Sequence, residues 1–401
     1  MSKLFFYTDN KDKFYQFLLI LFAAVFPLSV SAGNIVAYII CLIWLLSGDY
    51  HNKFHQIKSS NIAKASILFF LVHVLGMLWT ENLTWGIHIL KKMLDFIILL
   101  PIFITLTHLE NHRAYINAFL FSIFITLVFS YTIYFDVNPF YVFSNNPTPF
   151  MSHISHTPFM AIASYILMIK CFGGDSQTKF FHRASMLIFL SLVVINIFIT
   201  GGRAGQLAFF VLFALTIFQT KGLNIKSFIY FLILSSLTLV SALFFSELFQ
   251  ERFLLIFKEI LEYDISTGSS IGQRITFAIN SIRIISENLI LGVGTGDFPD
   301  SYRQISMIFS PGTRDTVNPH NMYILVMAQN GILGLLSFLL IFYNQYKEIR
   351  GNFFQSNTIA PGILIFFIFI NFSDSYLLGH FITFLFVFFS SFCFKSNNVK
   401  K

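Results

Sequence analysis

Apolar residues along the chain gather into runs of roughly twenty, separated by short polar stretches. A helix needs about 20 apolar residues to cross the hydrocarbon core of a bilayer. By that measure the pattern predicts twelve membrane-spanning helices, at about 14–31, 33–47, 62–79, 85–107, 113–135, 158–172, 184–200, 203–219, 226–245, 320–343, 358–375 and 377–394. The first run opens a multispan pattern and carries no convincing small-residue cleavage site, so it is not read as a removed signal peptide. The long polar break is residues 246–319. It is expected to be partly helical, with amphipathic helices at 247–262, whose charges keep to one side, and at 273–289, where Ile275, Phe277, Ala278, Ile279 and Ile282 recur at helical spacing. The Gly292–Asp297 run then follows a helix rather than a strand, so it reads as a turn and not as a dinucleotide fingerprint. Ordered loops of this length are more often functional than decorative. The chain thus divides into 1–245 (nine spans), 246–319 (the loop) and 320–401 (three spans and a tail).

Charge gives the direction. With the N-terminus in the cytoplasm, most of the 26 Lys and Arg fall on the cytoplasmic side, in groups such as Lys3, Lys11 and Lys13; Lys53, Lys58 and Lys64; Lys170, Lys179 and Arg183; and Lys395, Lys400 and Lys401. The outer loop 136–157 has no Lys or Arg. This is the positive-inside pattern, from which long loops such as 246–319 are exempt. Both termini are expected in the cytoplasm and the large loop outside. Composition agrees: 56% of residues are hydrophobic and 11% charged, against about 25% charged in soluble domains. The net charge of +7 is therefore an orientation signal, not a nucleic-acid footprint. Cys41, Cys171 and Cys393 lie in or beside apolar segments, so neither a disulfide framework nor a metal cluster is expected.

Few polar groups are left to carry chemistry, and charges at membrane depth are costly enough to mean something. In Pro319-His320-Asn321, Asn318 is a candidate N-cap, which places His320 in the first turn of the tenth span. On a regular helix Gly331 and Gly334 would share its face, within about 20° and 40° of it, so another helix could approach closely there. A surface histidine on a packed span is the plainer reading. In Thr200-Gly201-Gly202-Arg203, Arg203 stands at the N-terminal end of the eighth span, where helix N–H groups and a forked guanidinium together favour an anion; the alternative is a snorkelling arginine. Arg274 follows the Ser/Gly-rich turn Thr267–Gly272 and would fall in the first turn of a loop helix, again an odd place for a cation without an anion. Arg283 has Glu287 at i+4, so a solvated ion pair is expected. Lys91 and Lys92 lie in the outer half of the fourth span, with Asp95 one turn after Lys91. One lysine is expected to be paired or snorkelling, and Lys92 is taken as the one facing a polar cavity. His153 and His156 have no evident third ligand for a metal. The first outer loop, around Ser31-Ala32-Gly33, lacks the acidic residues of a metal-dependent membrane glycosyltransferase.

His320-Asn321, nine residues, then Gly331-Ile332-Leu333-Gly334 resembles the pattern H-[NSQ]-x9-G-x-x-[GTY] of bacterial O-antigen ligases, and Arg203-x3-Leu207 is similar to that family's second short motif. The resemblance implies a membrane glycosyltransferase fold. It implies transfer of a glycan from undecaprenyl diphosphate to a sugar hydroxyl of lipid A–core, at the periplasmic face of the bacterial inner membrane. His320 would be the general base. Arg203 and Arg274 would stabilise the departing diphosphate without a metal, Asn321 would orient His320 or a sugar, and no nucleotide or other cofactor would be needed. The relatives remain alternatives. A protein O-glycosyltransferase usually has a larger outer C-terminal region. An O-antigen polymerase uses arginines in two outer loops; Arg283-x10-Gly294 suits one, but 136–157 has none. A transporter would need buried charges that are not apparent here.

Overall fold

The computed structural model of the chain describes residues 2–137, 146–174, 180–261 and 269–395. Lys179, Lys400 and Lys401 of the orientation pattern, the side chains of Lys3 and Lys11, and Thr267 and Gly268 of the expected turn lie outside the described residues. The described residues form seventeen α-helices and no strand. Helices α1 (Ser2–Val25), α2 (Val30–Leu46), α3 (Tyr50–Ser59), α4 (Asn61–Gly76), α5 (Leu83–Ile97), α6 (Leu99–Leu106), α7 (His112–Tyr134) and α8 (His153–Phe172) make the first half. Then come α9 (Phe180–Ile199), α10 (Arg203–Lys221) and α11 (Ile225–Phe245), and the loop helices α12 (Glu247–Leu261), α13 (Ser270–Glu287) and α14 (Phe298–Phe309). The chain closes with α15 (Met322–Ile349), α16 (Ala360–Ile370) and α17 (His380–Cys393). Ser and Asn start many of these: Ser29, Ser60, Asn82, Asn224, Ser269 and Asn321 each accept a backbone N–H of the first turn, satisfying donors that the helix cannot.

Every expected span holds a helix, but the count of twelve full-length crossings is not met. Among the described residues six helices are long and apolar enough to cross a membrane: α7, α8, α9, α10, α11 and α15. A seventh is added if α2 and α3, bent by 119°, form one broken span. Local chemistry explains the shortfall. Pro101 has no N–H and its ring crowds the carbonyl of Ile97, so the expected span 85–107 breaks between α5 and α6. Gly48 and Asp49 take positive φ and turn the chain from α2 into α3. The expected span 358–375 stops early, at Ile370, and Asn371 to Gly379 form a turn before α17. Hydropathy alone saw one apolar run there.

Burial separates core from rim. In the most apolar stretch of α8, 83% of residues are buried, against 6% in α11. So α8 is enclosed by α9, α10 and α16, while α11 presents its side chains outward, as a lipid-facing helix does. The core is rich in phenylalanine, with Phe22, Phe26, Phe119, Phe159, Phe384 and Phe388 in mutual ring contact. Such ring pairs add about 0.5–1.5 kcal/mol each beyond their buried area.

The breaks between helices fall on two ends. At one, the loop 246–319 meets the α4–α5 turn, where Asp297 accepts the N–H groups of Glu81 and Asn82 at 2.9 and 2.7 Å. At the same end the Tyr376 hydroxyl donates to the Ile154 carbonyl. The basic groups Lys53, Lys170, Lys221, Arg350 and Lys395 stand at the opposite end. Both expected loop helices are present, and α14, which the pattern did not separate, follows the Gly292–Asp297 turn. Phe277, Ile284 and Ile285 of α13, Phe298, Tyr302 and Ile305 of α14, and Leu325 and Ala328 of α15 make a second apolar cluster that fixes the loop to the bundle.

Candidate active site

His320 does not lie in a helix. Asn321 is the N-cap of α15, taking the N–H groups of Tyr323 and Ile324 on its side-chain oxygen, and His320 precedes it with φ 54°. That left-handed conformation is costly for a residue with a side chain and persists where the surroundings enforce it. They do so through Asn318. The Asn318 Oδ1 accepts the His320 N–H at 2.9 Å and the Ser375 hydroxyl at 2.8 Å, while its Nδ2 donates to Asp374 at 3.1 Å. Asn318, expected as the cap, is therefore the brace of the turn.

The strained turn brings the imidazole Nδ1 to 3.1 Å from Asp374 Oδ1. The same oxygen accepts the Ser375 N–H at 2.7 Å. Burial alone would raise the Asp374 carboxyl; the His320 hydrogen bond and charge, the Ser375 N–H and the nearby charge of Arg274 outweigh it and hold the group below the usual carboxylate range. An ionised carboxylate only accepts, so Nδ1 carries a hydrogen, and Nε2 is the nitrogen left to exchange a proton. The imidazole lines a cavity. An acid–histidine pair of this kind fixes the tautomer and steadies the imidazolium formed when Nε2 takes a proton.

The cavity holds about 290 Å³. Its polar lining includes His320, Asn321, Ser373 and Arg274, set among Ile271, Ile275 and Phe372. The Phe277 ring lies nearly parallel to the imidazole, with centroids 6.0 Å apart. The structure thus brings His320, Arg274 and Asn321 together. The Asn321 amide is also used to cap α15 and to donate to the Phe372 carbonyl at 3.1 Å, so it holds the turn. Arg203 stands beside the cavity rather than in its lining. Its Nη1 is 3.8 Å from Glu259 Oε2, which also accepts the N–H of Ile271 at 3.0 Å. Arg252 and Arg274 are close enough for their charges to act on Arg203. Gly202 and Gly205 let this end of α10 press on α8: a Cβ on Gly205 would fall 2.3 Å from the backbone of Thr157. Lys92 stays apart. It is half-buried on α5 near His88 and lines no part of the cavity.

The shared face of His320, Gly331 and Gly334 is corrected. The helix α15 begins after His320 and is broken at Asn330 and Gly331, where Gly331 has φ 59°. The break serves the loop. Val293 and Gly294 donate to the carbonyls of Ala328 and Gln329, and Ile332 donates to Leu289, each at 2.9 Å. A Cβ on Gly331 would lie 2.2 Å from the Ile290 carbonyl oxygen. Arg283 does not pair with Glu287 either; it donates to Asn280 at 3.2 Å and lies 4.1 Å over the Phe309 ring. Asp374 escaped the sequence reading, although it is the one charged residue between 358 and 394. An acid inside an apolar run was the available signal. Arg252 and Glu259 look like ordinary polar positions of an amphipathic helix, and nothing in the pattern marks them.

The family model for O-antigen ligases matches residues 187–339. The match runs from α9 into α15 and takes in Arg203, the loop, Arg274 and His320, and it ends before Asp374. No curated protein matches the chain. With the long apolar helices, the match makes the chain an integral membrane protein that carries an O-antigen ligase domain.

Proposed function

We propose that this chain, whose residues 187–339 carry an O-antigen ligase domain, moves a glycan from undecaprenyl diphosphate to a sugar hydroxyl of lipid A–core at the periplasmic face of the inner membrane. The observation that carries the reading is the His320–Asp374 pair opening on a cavity that Arg274 also lines. The acceptor hydroxyl gives its proton to His320 Nε2 as its oxygen attacks the anomeric carbon. The bond from that carbon to the diphosphate oxygen breaks, and the lipid diphosphate leaves with the electron pair. Asp374 stabilises the imidazolium. Arg274, with Arg203 and the N-terminus of α13 beside it, meets the growing negative charge, which is where a fixed positive field lowers a barrier most. Basic residues collected at the end opposite the loop support the proposed orientation.

Polymerisation is the nearest alternative within the family. The arginine it would draw from this loop, Arg283, is engaged by Asn280 and Phe309 outside the cavity lining, which favours ligation. The test is transfer by purified protein given undecaprenyl-diphosphate glycan and lipid A–core. Capped lipid A–core from wild type and none from His320→Ala is the expected result. Longer lipid-linked glycans without capped core would replace ligation by polymerisation.

A further inference from the structure

The Arg203 region holds an internal anion. Glu259, near the C-terminal end of α12, places one carboxylate oxygen 3.0 Å from the Ile271 N–H in the first turn of α13 and 3.8 Å from the Arg203 guanidinium. Both side chains are mostly buried, at 21% and 13% exposure. The position is one a phosphate oxygen would choose: a helix N-terminus with a forked cation beside it. Arg252 and Arg274 are also close enough for their charges to act on Arg203, so two further guanidinium groups stand near this contact. The contact to Arg203 is long for an ion pair with full hydrogen bonding. The Arg203 Nε–H is buried and has no hydrogen-bond partner. An arginine held this loosely, with a spare donor and two more guanidinium groups nearby, is arranged for a larger anion than a carboxylate.

We infer that Glu259 is a placeholder, a carboxylate that occupies the subsite of a donor phosphate and is exchanged for it when the lipid diphosphate binds. This rests on the reading given under Proposed function and names a residue that tunes its donor affinity. Exchange suits the local build. The far end of α12 is anchored by Phe249, edge-on to Phe198 at 5.2 Å, and by the Ser246 hydroxyl on the Phe198 carbonyl at 2.8 Å. Glu259 lies at the other end, so its displacement leaves that anchor untouched. The placeholder keeps the three arginines from repelling one another in the empty protein, and it makes every donor phosphate compete with a tethered carboxylate. Glu259 is thus a specificity device: a monophosphate gains little over the carboxylate it displaces, whereas a diphosphate brings the additional charge that the cluster can hold.

Binding of farnesyl diphosphate to the full-length protein in detergent tests this, with the Kd as readout. Glu259→Gln keeps an oxygen for the Ile271 N–H and removes the competing charge. It is expected to bind about twofold to fivefold tighter than wild type, the range for a partly exposed charge pair. The gain should vanish in an Arg203→Ala background, which a merely structural Glu259 would not produce. Glu259→Asp, which shortens the carboxylate's reach, is expected to fall between wild type and Glu259→Gln, and it serves if the glutamine variant does not fold. Equal or weaker binding by the folded variants overturns the placeholder while leaving the donor site standing, provided Arg203→Ala and Arg274→Ala lose binding. If both arginine variants bind as wild type does, the diphosphate site itself falls, and this inference with it.

Discussion

Replacing Asp374 by asparagine separates charge from geometry at the proposed base. All three hydrogen bonds to this side chain, from His320 Nδ1 at 3.1 Å, Asn318 Nδ2 at 3.1 Å and the Ser375 N–H at 2.7 Å, converge on Oδ1. An amide oxygen can accept all three, so the turn should survive and the melting temperature should fall by only a few degrees. What disappears is the charge facing an imidazolium. Two unit charges 3.1 Å apart interact by about 5 kcal/mol at an effective dielectric near 20. The imidazole is 33% exposed and the carboxylate 14%, so screening leaves roughly 2–3 kcal/mol. At about 1.4 kcal/mol for each tenfold, the transfer step should slow by about 30- to 150-fold. The assay is single-turnover transfer of glycan from saturating undecaprenyl diphosphate donor to lipid A–core, with His320→Ala as the floor. Donor binding should not change, because the proposed site meets the donor charge with the arginines. An Asp374→Asn protein that transfers within threefold of wild type would refute the role given to this carboxylate. A folded variant as inactive as His320→Ala would show that the side chain does more than steady a charge.

Gly331→Ala should destabilise the protein by at least about 2 kcal/mol, because its φ of 59° disfavours any Cβ and the added atom would meet the Ile290 carbonyl; a lowered melting temperature and faster proteolysis near residues 289–294 are the readouts. Arg283→Ala should lose about 0.5–1 kcal/mol from its place over Phe309 yet leave the transfer rate of the folded protein near that of wild type, a contrast that a kinetic comparison with Arg274→Ala will expose. The Asp374 carboxyl is held below its ordinary range, chiefly by His320 once the opposing effect of burial is overcome. A depressed carboxyl contributes stability that is present above its unfolded pKa of about 3.9 and lost as pH falls through the folded value. The gap in melting temperature between wild type and Asp374→Asn should therefore narrow as pH falls below about pH 4, and a gap already closed at pH 5 would refute the assignment.

How much of this was written in the apolar pattern depends on what each feature costs in local sequence. Span positions were legible because burying a helix in lipid demands a long apolar run, and each of the twelve runs does hold a helix. Their lengths were not, since Pro101 breaks one run and the Asn371–Gly379 turn interrupts another while most flanking residues stay hydrophobic. The histidine motif pointed to a residue that does line the cavity, but by wrong geometry. A helical wheel joined His320 to Gly331, but a residue at φ 54° sits before the helix and Gly331 breaks it. The motif is better understood as two constraints on one stretch of chain. Its start bends to present an imidazole to Asp374, and its glycine opens a gap for the loop backbone. The break is what connects them. Hydrogen bonds from Val293, Gly294 and Ile332 across Gly331 pin the loop to α15, and α13 of that same loop carries Arg274 to the rim of the cavity that His320 lines. The glycine thus sets where the arginine stands relative to His320, and that relation spans residues too far apart in sequence for any periodicity to reveal.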